Sequence, residues 1–151
     1  MVYQPRTLNQ KGLIQVYTGE GKGKTSAALG QALRACGQGW RVLIVQFMKG
    51  REECGEFKIS KIIPNLTIIQ AGSSSFVHPF KPSKHDVSLA LEGLNFVEKA
   101  IREISHDMIV LDEINVAIKC GLLPLEKIVT LLKNKPDPIE IVLTGREAHK
   151  Q

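Results

Sequence analysis

The chain has 151 residues and a net charge of +5, from 20 Lys and Arg against 15 Asp and Glu. With 43% hydrophobic and 23% charged residues it has the make-up of a soluble globular protein, which excludes wholesale disorder, and no apolar run reaches the ~20 residues that a membrane helix needs. The positive charges are scattered rather than gathered into the stripe usual for a nucleic-acid binder, and a mild surplus suits a small anionic ligand as well as a polymer, so charge alone does not choose between them.

The start of the chain, Met1 to Gly12, is polar and lacks the apolar core of a secretory signal. Residues 1–11 read as a flexible N-terminal arm ahead of one domain that occupies the chain, 1–151. Leu13 to Tyr17 reads as a strand and runs into a Gly-rich turn. Thr25 to Cys36 carries Ala28, Leu29, Ala32, Leu33 and Cys36 on one helical face, and Gly37 and Gly39 end it. Arg41 to Phe47 is a continuous apolar run, the mark of a strand buried on both faces, and Leu66 to Gln70 is another. Residues 84–104 form the longest helix, with apolar positions every three or four residues and Ser83 as N-cap. Met108 to Leu111 is the fourth strand; a short helix spans 113–119, a second begins near Pro124, and Ile139 to Leu143 is the fifth strand. The order strand–helix–strand–strand–helix–strand–helix–strand predicts an α/β fold with a mostly parallel sheet covered by helices on both faces. Ligands of such sheets sit at the carboxyl ends of the strands.

Cys36, Cys54 and Cys120 are odd in number and form no metal-binding spacing. They read as reduced thiols of a cytoplasmic protein.

Three segments at strand ends carry the chemistry. Thr18-Gly19-Glu20-Gly21-Lys22-Gly23-Lys24-Thr25-Ser26 follows a strand and opens a helix, as a phosphate-binding loop must. Its glycines let backbone N–H groups turn toward phosphate oxygens, Lys24 supplies a point charge, and the Thr25 hydroxyl can serve Mg²⁺. Thr18 stands where the usual pattern has its first Gly. Asp112-Glu113 closes the fourth strand with the carboxylates that a metal beside such a loop requires. Glu113 also has a competing reading as the base of an ATP hydrolase. Arg146 in Thr144-Gly145-Arg146 is placed to clamp a phosphate from the side opposite Lys24. Lys49 and Arg51 add cations after the second strand, where solvated charge is the plain reading, and the loop 73–80 offers Phe76 and His78 to a flat apolar ligand.

Together these segments resemble the P-loop type ATP:corrinoid adenosyltransferases, over roughly residues 12–146. The matching stretches are the loop Thr-Gly-Glu-Gly-Lys-Gly-Lys-Thr with its missing first Gly, Val-Gln-Phe-Met-Lys-Gly at 45–50, Val-Leu-Asp-Glu-Ile-Asn at 110–115 and Leu-Thr-Gly-Arg at 143–146. The resemblance implies a three-layer P-loop NTPase (RecA-like) fold. It also implies transfer of the 5′-deoxyadenosyl group of ATP to the Co(I) of a reduced corrinoid, leaving triphosphate, in cobalamin biosynthesis or salvage. On this reading Thr18 to Ser26 and Arg146 hold ATP. Lys24, Thr25 and Glu113 act in catalysis, Thr25, Asp112 and Glu113 serve Mg²⁺, and Phe76 and His78 face the corrinoid. A flavoprotein or similar reductant, a homodimer and a cytoplasmic location are further implications.

Two departures from the family pattern stand out. His78 replaces a Trp in the Gly-x-Gly-Phe-x-Trp stretch that many members carry, and the chain stops five residues after Arg146, short relative to the family. The expectation is a core that lacks a C-terminal piece. Other readings of the same residues are an ordinary P-loop ATPase or nucleotide kinase, and a non-catalytic module that binds ATP or a corrinoid.

Overall fold

The computed structural model describes residues 11–51, 53–74 and 81–150. The chain runs β1 (Ile14–Tyr17), α1 (Lys24–Gly37), β2 (Val42–Phe47), α2 (Gly55–Ser60), β3 (Leu66–Ala71), α3 (Lys84–Arg102), β4 (Met108–Asp112), α4 (Ile114–Lys119), α5 (Leu125–Lys133) and β5 (Glu140–Thr144). The five strands form one sheet in the order β1-β5-β4-β2-β3, and every pairing is parallel. The predicted order omits α2 and counts the two helices between β4 and β5, each of which has its own signal in the sequence, as one. The six residues of α2 are too few to show a helical period, so the segment between β2 and β3 reads as loop in sequence.

Parallel strands must be covered on both faces, and two apolar layers do this. One joins α1 to the sheet through Ala28, Ala32 and Cys36 against Val42, Ile44, Val110 and Val142. The other joins α3, α4 and α5 to the opposite face through Leu94, Val97, Ile114, Ala117 and Ile128 against Leu43, Val45, Ile109, Leu111 and Ile141. Helix α1 meets the sheet through alanines and a cysteine. Leu33, expected on its buried face, is 46% exposed, because it falls beyond the stripe that Ala28, Ala32 and Cys36 define.

The central strands β2, β4 and β5 are buried throughout, as continuous apolar runs demand. β1 differs: Ile14 and Val16 are exposed, while Gln15 and Tyr17 turn toward Gln31 of α1. It is one of the two edge strands, and its residues are absent from the apolar layer of α3, α4 and α5.

Helix α3 begins as predicted. Ser83 accepts from the Asp86 N–H, and the Asp86 carboxylate accepts from the Ser83 N–H in return. Pro124 lies one residue before the first turn of α5, at its N-cap. Cys36 and Cys120 are buried and Cys54 is partly buried, all as free thiols; burial pushes the Cys36 thiol up to about 11.

Helix α3 packs tightly against the sheet at Gly93. A methyl group there would stand 2.4 Å from the Ala71 Cβ and 3.3 Å from a Val45 methyl carbon. Gly93→Ala should therefore overpack this contact and cost about 1–3 kcal/mol, read as a lower denaturation midpoint. Adding Ala71→Gly should recover part of the loss; a double variant no more stable than the single would refute the contact.

His106 is half-buried beside Arg41, and burial first, then the Arg41 charge, holds its pKa below the usual value, against a smaller opposing effect of Asp107. The unfolded chain then binds more protons than the folded one at mildly acid pH. Stability linked to His106 is complete above its unfolded pKa of about 6.5 and is lost as pH falls below it. Unfolding curves from pH 8 to pH 5 should fall more steeply for the natural chain than for His106→Gln; parallel curves would show that His106 is not the cause.

Candidate active site

The loop from Gly19 to Gly23 lies between the carboxyl end of β1 and the first turn of α1. Gly23 caps α1 with φ +99°, a left-handed conformation that strains any residue with a side chain. This turn points the first N–H groups of a 14-residue helix into the loop. The Lys24 side chain folds back over the loop, and its Nζ donates to the Gly19 carbonyl at 2.6 Å and to the Gly21 carbonyl at 2.5 Å. Those are neutral acceptors. An anionic oxygen offers a stronger, charge-assisted bond, so a phosphate in the loop can draw Lys24 to itself.

Across the loop a cleft of about 480 Å³ is lined by Gly21 to Ser26, Glu113, Val116 and Arg146. The predicted loop, the acid after β4 and the arginine after β5 therefore come together. Thr18, Gly19 and Glu20 lie outside this lining. Thr18 Oγ1 accepts from the Ala148 N–H at 3.1 Å, which ties the loop to the segment after Arg146. Glu20 and Arg146 form a rim ion pair at 3.6 Å with both side chains more than half exposed; such a pair holds little energy and leaves the arginine available to a stronger anion.

Asp112 is the centre of the site, 1% exposed at the end of β4. Each of its oxygens accepts twice. Oδ1 takes the Thr25 hydroxyl at 2.9 Å and the Thr144 hydroxyl at 2.7 Å. Oδ2 takes Lys49 Nζ at 2.8 Å and the Gln46 amide at 3.3 Å. The strand order makes this possible. Gln46 is in register with Asp112 on one side and Gln70 on the other, and Thr144 reaches Asp112 from β5. The result is a row of polar side chains on one face of four neighbouring strands. Fully buried Gln46 accepts from the Gln70 amide and donates to Glu56 of α2, at 3.3 and 3.2 Å.

Glu113 follows Asp112 with φ +60° and caps α4; its N–H donates to Thr144 Oγ1 at 2.9 Å. Burial and the Asp112 charge raise its pKa above the usual carboxylate range, partly offset by Lys49, Lys24 and Arg146. For Lys49, burial opposes the charge, but Asp112 and its hydrogen bond outweigh this and hold the ammonium above its ordinary range. Gln46, Glu56 and Thr144 are the site residues to which sequence reasoning gave no role. Lys49 carried a signal as a cation after a strand, but solvation was its plainer reading. Phe76 and His78 lie outside the described residues.

Among the described residues, no three or more His, Cys, Asp and Glu side chains gather into a metal cage. The donors near the loop are all oxygens. The Thr25 hydroxyl gives its proton to Asp112, which leaves lone pairs for a cation. This donor set fits Mg²⁺, which favours oxygen ligands and keeps waters and phosphate oxygens around it.

The profile of the family "ATP:corrinoid adenosyltransferase BtuR/CobO/CobP" matches residues 10–151. The chain belongs to the ATP:corrinoid adenosyltransferase family. A corrinoid adenosyltransferase of Escherichia coli K12 is 34% identical over 142 residues, which is 94% of this chain and 71% of that protein. The corrinoid adenosyltransferase CobA of Salmonella typhimurium LT2 is 33% identical over 141 residues, covering 93% of this chain and 71% of its own. Among solved structures, a KaiC-like protein of Pyrococcus horikoshii OT3 aligns with a TM-score of 0.55 at 15% identity, over 89% of this chain and 62% of that one. That likeness shows the fold, a RecA-like P-loop architecture, as the strand order and loop placement require.

Thr144 bridges the two acids. Thr144→Val keeps the size but removes a donor to buried Asp112 and an acceptor for the Glu113 N–H. The expected cost is about 1–3 kcal/mol, measured by chemical denaturation, with Thr144→Ser retaining most of the stability. An unchanged midpoint in the Val variant would remove Thr144 from this role.

Proposed function

We propose that this chain transfers the 5′-deoxyadenosyl group of ATP to the cobalt of a reduced corrinoid, with the cleft beside Lys24 holding the triphosphate. The observation that carries this reading is the bond between Thr25 and Asp112. It joins the phosphate loop to the acid of β4 in a chain that belongs to the adenosyltransferase family.

The reaction is a displacement at carbon. The Co(I) electron pair forms the bond to the ribose C5′, the C5′–O bond breaks, and triphosphate departs with that bond's electrons. The cobalt nucleophile carries no proton, so the protein needs no general base. Negative charge grows on the leaving triphosphate, and the site's task is to stabilise it. Lys24, the loop N–H groups, the N-terminus of α1 and Arg146 are the groups suited to this. Mg²⁺, when bound, supplies further neutralisation of the triphosphate, and Thr25, Asp112 and Glu113 are the residues that would hold it. Glu113 is half-buried with a raised pKa, facing the same cleft.

Phe76 and His78 are assigned to the corrinoid on the family resemblance. The same resemblance supports a flavoprotein or similar reductant that brings Co(II) to Co(I), a homodimer and a cytoplasmic location. No helix among the described residues is long and apolar enough to cross a membrane.

Incubation with MgATP and chemically reduced cobalamin should yield a light-sensitive adenosyl product and inorganic triphosphate in equal amounts. Lys24→Ala should lower the rate by at least about 10²-fold, the scale of losing one charge-stabilising group. Release of ADP and phosphate without an adenosyl product would instead make the chain an ordinary P-loop ATPase, with Glu113 aligning water.

A further inference from the structure

The backbone spends strain to bring Lys49 to Asp112. Met48 ends β2 with φ +60°, a left-handed conformation that is uncommon for a side chain of its kind. The turn is held by the residue that follows β3, Gly72, where a Cβ would lie within 2.6 Å of the Met48 and Lys49 backbone. This reversal sends Lys49 back over the sheet edge, where Nζ meets Asp112 Oδ2 at 2.8 Å and Glu56 Oε1 at 3.7 Å. Lys49 is 29% exposed and Asp112 only 1%.

The geometry points to Lys49 as a positioning residue that competes with the divalent cation for Asp112. This rests on the assignment of Asp112 to the metal. All four acceptor directions of the Asp112 carboxylate are in use. A cation that takes one of its oxygens directly must displace a donor. Thr25 and Thr144 are neutral, and Thr144 also anchors the Glu113 N–H. Among the described residues Lys49 is the one charged donor to Asp112, and electrostatic repulsion from an arriving cation falls hardest on it. It also has somewhere to go, because Glu56 stands beside it and is fixed by the Gln46 amide. Lys49 thus keeps a buried carboxylate neutralised and aimed at Thr25, and it moderates the grip of that carboxylate on metal, so that the cation is taken up together with the triphosphate.

Mn²⁺ serves as probe, followed by the loss of its free-ion electron paramagnetic resonance signal in the absence of nucleotide. Lys49→Met removes the competing charge from Asp112. It should tighten Mn²⁺ binding by about tenfold or more, the scale expected for one unit charge near a partly buried site. Lys49→Met/Asp112→Asn should lose that gain, and Mn²⁺ should raise the melting temperature of Lys49→Met more than that of the natural chain. Lys49→Gln, which keeps a donor to Asp112 without the charge, replaces Lys49→Met if that variant does not fold. Equal Mn²⁺ affinity in the natural chain and the Lys49 variant, including no measurable binding by either, overturns the inference. If the double variant keeps the full gain, Asp112 does not hold the cation, and the metal assignment falls with it.

Discussion

One buried anion organises this molecule. Asp112 lies at the carboxyl end of the central strand β4 with almost no contact with water. An isolated carboxylate there would be costly, and the cost is offset only if its oxygens are fully bonded and its charge is matched. Helix α1 sends Thr25, β5 sends Thr144, β2 sends Gln46, and the turn after β2 sends Lys49. Three separate chain segments, α1, β5 and β2 with the turn that follows it, are therefore tied to one side chain. The phosphate loop is among them, because Thr25 is the second residue of α1 and its hydroxyl is directed by Asp112.

The strand order is what lets this happen. β1 and β4 carry the loop and the acid, yet they are not neighbours, since β5 lies between them. Thr144 at the end of β5 fills the gap and links Asp112 to the Glu113 N–H. The polar row at the carboxyl edge then continues through Gln46 to Gln70. One layer below, the same face is apolar, with Val142, Val110, Ile44 and Ile68. Rigidity comes from that apolar layer and chemistry from the polar one, one pleat apart on the same strands.

The legible part of this design was the part written in local pattern. The central strands are continuous apolar runs, the long helix has Ser83 as its N-cap, and the loop, the Asp112-Glu113 pair and Arg146 each follow a strand. Those signals need no knowledge of which strand pairs with which. The missed part depends on pairing. Gln46 and Thr144 look like ordinary polar residues at strand ends until β4 is seen between β2 and β5. Lys49 reads as solvated because nothing in sequence shows that Met48 reverses the chain. Helix α2 was missed for want of length, and with it Glu56, the second carboxylate beside Lys49. Leu33 shows the opposite error: a helical period identifies a stripe, but the width of that stripe is decided by how closely small residues such as Ala28 and Ala32 let the helix approach.

The charges at the carboxyl edge divide into two sets with different duties. Lys49 faces inward and is matched to Asp112, in a low-dielectric setting where the pair interacts strongly. Among the described residues, Lys24 and Arg146 border the cleft and are bonded to loop carbonyls and a rim glutamate. The inward cation maintains the architecture around Thr25, and the outer ones are kept in weak bonds that an incoming polyanion can replace at small cost. A leaving triphosphate gains most from charges of this second kind, because their present partners bind them less strongly than the charge that develops on it. The +5 charge of the chain matters less to this chemistry than the contrast between one cation committed to a buried acid and two left loosely held at the mouth of the cleft.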